Sequence, residues 1–105
     1  MALEFWEDDE DRYCLSEISL HDGERSFELS RARHGPAAWA GTPYADDLLP
    51  GQAVVTVVQH GPDHYEPDET PAPMLYCDSE TWIPMAVMQW FTERVAARLA
   101  EAAKP

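Results

Sequence analysis

Lysine is almost missing from this sequence: Lys104 is the single one in 105 residues, and six arginines supply the rest of the positive charge. Against these seven bases stand twenty Asp and Glu, a formal net charge of -13. A phosphate backbone or the anionic face of a membrane would be repelled at every approach, so neither direct nucleic-acid binding nor membrane association is expected. The bias of arginine over lysine suggests a GC-rich coding sequence and carries no information about fold. Cysteine is scarce too, with only Cys14 and Cys77. The first twelve residues, MALEFWEDDEDR, have neither the basic start nor the apolar stretch of a secretory signal, and no apolar run approaches a membrane span. The expectation is a soluble, cytoplasmic protein whose two cysteines are free, buried and inert.

The motifs of familiar chemistry are absent as well. There is no G-x-S-x-G, phosphate-binding loop, dinucleotide fingerprint, H-E-x-x-H or calcium-loop pattern. His60 and His64 stand four apart, a spacing that on a helix would present two imidazoles to one metal. Gly61 and Pro62 between them forbid that helix. A site using His60, Asp63, His64 and Cys77 would need a turn to gather them, and histidines beside a turn are ordinarily just solvated, so no metal or cofactor is expected. Neither cysteine has a helix N-terminus or basic neighbours in sequence to stabilise a thiolate. Paired carboxylates are abundant, but among twenty acids some pairs fall close by chance. The chain reads as a non-enzyme, with a small metal-dependent catalyst as a less favoured alternative.

What is present is enough apolar material to fold. Hydrophobic residues make up 45% of the chain, including four Trp, four Tyr and three Phe. One domain, residues 1–105, is expected from the length. Leu3 to Trp6 reads as a first strand running into the acidic block Glu7-Asp8-Asp9-Glu10-Asp11. From Arg12 to His21 the residues alternate, Cys14, Ser16, Ile18 and Leu20 on one face and Tyr13, Leu15, Glu17 and Ser19 on the other. Asp22-Gly23 suits a tight hairpin turn, and Arg25 to Arg33 alternates again with Phe27 and Leu29 inward and Ser26, Glu28 and Ser30 outward.

Between His34 and Gly51 the glycines and prolines break every period, leaving a short helical turn at Pro36 to Ala40 and four residues, Trp39, Tyr44, Leu48 and Leu49, to cap one end of the core. Gln52 to Gln59 is nearly continuous in β-branched residues and reads as a central strand. Asp63 to Pro73 is a Pro-rich acidic loop, Met74 to Cys77 a short strand, and a helix begins between Ser79 and Pro84 and runs to about Ala103. Its apolar stripe is Met88, Phe91, Val95, Leu99 and Ala102, widened by Val87 and Trp90. The fold class expected is α+β: an antiparallel sheet of four to five strands packed by one long C-terminal helix. Trp6, Trp39 and Tyr44 are the candidates to shield the sheet's other face.

Function is read from charge. No Lys or Arg occurs between Arg33 and Arg94, while Asp46, Asp47, Asp63, Glu66, Asp68, Glu69, Asp78 and Glu80 fall in that interval. Arg25, Arg31 and Arg33 alternate on one strand and could hold an anion, but nearby acids are the expected partners. The leading expectation is a protein-binding domain that neutralises or inhibits a basic, nucleic-acid-facing partner, as an immunity protein, antitoxin or nucleic-acid mimic would. Its contact residues would be Glu7, Asp8, Asp9, Glu10, Asp11, Asp46, Asp47, Asp63, Tyr65, Glu66, Asp68 and Glu69, displayed together on one side. Trp6, Tyr44 and Tyr65 lie among those acids and would serve as anchors. The alternative is an accessory or regulatory subunit, or a chaperone, that docks through an apolar aromatic face carried by Trp39, Trp82 and Trp90.

Overall fold

Among the described residues five antiparallel strands form a single sheet in chain order, and one α-helix follows them, in a computed structural model of the chain. The structure describes residues 2–19, 23–35, 38, 40–43, 48–70, 72–78 and 80–102. The strands are β1 (Ala2–Glu7), β2 (Arg12–Ser19), β3 (Arg25–His34), β4 (Leu48–Gln59) and β5 (Met74–Cys77), and the helix is α1 (Met85–Ala102). This is the expected α+β arrangement, with β1 and β5 at the two edges. β3 is the middle strand, so the β-branched run of β4 sits one place from the edge.

The period-2 pattern of β2 and β3 places their larger apolar residues on one face. Cross-strand partners share a face, and the register aligns Tyr13 with Arg31, Leu15 with Leu29, and Glu17 with Phe27. β4 continues that face with Val55 and Val57. Onto it α1 lays Val87, Phe91 and Val95, and these three, with Tyr13, Leu15, Phe27, Leu29, Val55 and Val57, make the buried core. Met88, Trp90 and Leu99 pack at its margin. The helix starts where Pro84 donates no N–H but accepts two: Val87 and Met88 both direct their N–H groups to the Pro84 carbonyl, at 3.0 and 3.1 Å.

Several local expectations are corrected by the pairing. Trp6 aligns with Tyr13 on the helix side, where the two rings meet edge to face at 6.3 Å, so Trp6 cannot shield the opposite face. Among the described residues β2 and β3 pair as far as Ser19 and Arg25, a register that a two-residue Asp22-Gly23 turn does not fit, and Gly23 takes a φ of 88° that only glycine adopts freely. Asp22, Trp39 and Tyr44 lie outside the described residues, as do Pro36 and Ala37. Leu48 and Leu49 belong to β4, which starts earlier than expected and pairs them with His34 and Arg33.

Ser30 faces away from the helix yet is buried. The register shifts at Ser30, and its Oγ accepts the N–H of Gly51 at 3.1 Å. A Cβ at Gly51 would lie 2.6 Å from the carbonyl oxygen of Arg31, so the irregular crossing of β3 and β4 requires glycine there.

Candidate functional site

Two kinds of polar surface come from the fold. The first binds the helix to the sheet. Arg94 and Arg98, one turn apart on α1, both reach Glu4 of β1, at 2.8 and 2.9 Å. Arg98 also contacts Glu17 of β2 at 3.0 Å, and Arg25 of β3 contacts Glu17 at 3.1 Å and donates to the Arg98 carbonyl at 3.2 Å. Hydrogen bonds from Arg94, then Arg98, hold the Glu4 carboxyl below the ordinary glutamate range against some desolvation. Burial pushes Glu17 upward, but the bonds from Arg98 and Arg25 outweigh it, and its net shift is also downward. These five residues satisfy one another and serve the fold. Of the three β3 arginines, Arg25 is committed here, Arg31 lies 3.7 Å from Asp11 with its guanidinium over the Tyr13 ring, and Arg33 donates to the Pro50 carbonyl at 3.1 Å.

The second kind is the surface acid, and the fold divides it. The block Glu7–Asp11 is the β1–β2 turn, at the end of the sheet where β3 stops and β4 begins. The loop with Asp63, Glu66, Asp68 and Glu69 follows the far end of β4, so the length of the sheet separates the two groups. Asp46 and Asp47 lie outside the described residues. The expectation of one shared acidic side is therefore not what the topology builds, because sequence runs of like charge fall wherever the turns fall.

Within the first group Asp8 organises the turn. Its Oδ1 accepts the N–H groups of Glu10 and Asp11 at 2.8 and 2.6 Å, and those bonds, Asp11's first, hold its carboxyl below the usual range. Glu7 and Asp11 face Arg12 and Arg31 loosely, at 3.8 and 3.7 Å, while Asp9 and Glu10 are exposed. At the other end Asp63, Glu66, Asp68 and Glu69 are all exposed. Tyr65 is half-buried with its ring edge on His64 at 5.2 Å, and its buried hydroxyl has no partner among the described residues. His60 and His64 stack at 4.0 Å, and among the described residues no three His, Cys, Asp or Glu side chains converge as a metal-binding group.

The apolar surface is concentrated where sequence reasoning placed only Trp82. Eight large hydrophobic residues are exposed among those described, and five of them, Met74, Leu75, Tyr76, Trp82 and Met85, fall in the stretch from β5 into α1. Trp82 is 94% exposed, Met85 86%, Tyr76 74% and Met74 66%. The local cause is visible. Asp78 caps the end of β5, its Oδ1 accepting the Glu80 N–H at 3.1 Å and its Oδ2 the Thr81 hydroxyl at 3.0 Å. From Thr81 to Pro84 the chain is neither strand nor helix; Ile83 packs against the core, while its neighbour Trp82 is left in solvent.

β5 is four residues long and lies at the rim of the sheet, so all four side chains are exposed, Cys77 included. The expectation of two buried thiols holds for Cys14, which burial raises to about 11, and is corrected for Cys77. The sign that could have marked this stretch is a strand apolar at every position beside an acidic, Pro-rich loop. Trp90 of the expected aromatic face instead packs partly into the core. No helix of the described residues is long and apolar enough to cross a membrane. Comparison with protein-family models, with curated proteins and with solved structures found no match for this chain.

Proposed function

We propose that this chain is a protein-binding module that docks a basic partner through β5 and the segment leading into α1. The observation that carries the reading is the exposure of Trp82, Tyr76, Met74 and Met85 in one short stretch of chain. Indole, phenol and thioether groups are the side chains from which interface anchors are drawn, and a water-exposed tryptophan of this kind has no stabilising role in the free fold. The flanking charge supplies the partner's sign. Asp63, Glu66, Asp68 and Glu69 precede β5, Asp78 and Glu80 follow it, and no lysine or arginine intervenes. Carboxylates around an apolar centre speed encounter with a basic surface and discriminate against acidic ones. In that role the module would neutralise or regulate its partner, as an immunity protein, an antitoxin or an accessory subunit does.

The test is affinity capture with three forms of the protein: wild type, Trp82→Ala, and a form with Asp8, Asp9, Glu10 and Asp11 converted to their amides. The reading predicts a basic protein retained by wild type and by the amidated turn, weakened by salt, and lost with Trp82→Ala. Retention by Trp82→Ala together with loss on amidation would move the interface to the β1–β2 turn.

A further inference from the structure

The backbone of β5 carries a second signal, independent of its side chains. In an antiparallel pair, alternate residues exchange hydrogen bonds with the neighbour and those between them turn their N–H and C=O groups away. The Asp78 N–H donates to the Val54 carbonyl at 3.0 Å, which makes that pair a bonded one. Counting back through the register, Tyr76 opposite Thr56 and Met74 opposite Val58 are bonded pairs, and Leu75 and Cys77 are the residues in between. Their N–H and C=O groups therefore point out of the sheet. β5 is the edge strand on that side, and among the described residues no strand pairs with it on the side away from β4.

Sheet edges are ordinarily blunted by charge, proline, a bulge or very short length. β5 is short, but its four residues, Met-Leu-Tyr-Cys, hold no charge, proline or bulge. We propose that β5 receives an extended segment of the partner as a sixth strand, and that this segment is apolar or β-branched at its centre and carries Lys or Arg at both ends. The centre is set by the exposed Met74 and Tyr76 on one face of the strand and Leu75 and Cys77 on the other. The ends are set by charge: Glu66, Asp68 and Glu69 lie before the strand, and Asp78 and Glu80 after it. A second copy of this chain would bring the same carboxylates against themselves, so the occupant is a partner of opposite sign. This inference rests on the docking reading and specifies its mode, main-chain pairing guided by side-chain pockets.

The probe is a capped synthetic peptide, Lys-Lys-Val-Thr-Val-Thr-Val-Lys-Lys, added to the full chain while backbone amide exchange is followed by NMR. Saturating peptide is expected to slow exchange at Leu75 and Cys77 by roughly tenfold or more, a size that corresponds to one added hydrogen-bonded layer, and to leave Tyr76, already bonded to β4, unchanged. The Leu75→Pro protein, which removes an outward N–H without touching a bond to β4, is expected to bind the peptide roughly tenfold more weakly. The same peptide N-methylated on alternate residues keeps the test independent of how that variant folds, and it is expected to lose binding. Binding that perturbs Trp82 but protects neither Leu75 nor Cys77 overturns strand addition and leaves apolar docking standing. Failure of the peptide to bind wild type at all overturns the proposal, while the docking reading then stands or falls on Trp82→Ala in affinity capture.

Discussion

The two edges of the sheet are built in opposite ways. β1 carries an inward-pointing charge, Glu4, which two helix arginines grip at 2.8 and 2.9 Å, and its Trp6 lies against Tyr13 in the core. Both devices fasten the strand to the body of the protein, and an inward charge also discourages any other chain from pairing there. β5 has no charge, and none of its side chains makes a hydrogen bond or ion pair among the described residues. The helix-facing side of one rim is tied to α1 through Glu4. The other rim displays apolar side chains and an unpaired outer backbone on a strand of four residues. The difference teaches where to look for function: at the edge whose side chains make no hydrogen bond or ion pair among the described residues.

The largest effect should come from what both edges share. Phe91 is fully buried between α1 and the sheet, so Phe91→Ala is expected to cost about 3–5 kcal/mol in chemical denaturation, loosening β1 and β5 together. A cost under about 1 kcal/mol would mean that α1 does not hold the sheet. Next, Glu4→Ala should destabilise by roughly 1 kcal/mol, discounted for solvent screening, whereas Tyr76→Ala on the other edge should stay within about 0.5 kcal/mol. The same contrast has a pH signature. Glu4 and Glu17 have folded pKa values below their unfolded ones, so their contribution is complete above the ordinary glutamate pKa of about 4.3 and is lost as pH falls through the lower folded values. Urea midpoints should therefore drop on acidification in wild type and drop less in Glu4→Ala.

Much of this architecture was legible in the residues. The alternation of β2 and β3, the extent of β5 and the stripe of α1 follow from periods of 2 and 3.6, which act over a few residues. What escaped is non-local. Arg94 and Arg98 stand at helical spacing and advertise a shared partner, but that partner, Glu4, is some ninety residues away in sequence and only the fold brings it near. Cys77 reads as buried because nothing in the four apolar residues Met74 to Cys77 says whether a helix will cover them. The acidic runs were visible as runs, but which end of the sheet each would occupy depends on strand order, and they fell at opposite ends.

A smaller effect separates the edges by their thiols. At neutral pH a disulfide-exchange reagent should titrate Cys77 promptly and Cys14 only after unfolding, because Cys14 is buried and held at about 11 while Cys77 is exposed. Prompt reaction of both would contradict the burial of Cys14 beneath the sheet surface.

The most direct test of the docking edge is a hydrogen-exchange footprint of the protein bound to the basic partner recovered by affinity capture. Protection confined to residues 74–85, with the β1–β2 turn at 8–11 unchanged, is the result predicted. Protection of the turn while 74–85 exchanges as in the free protein would contradict the account.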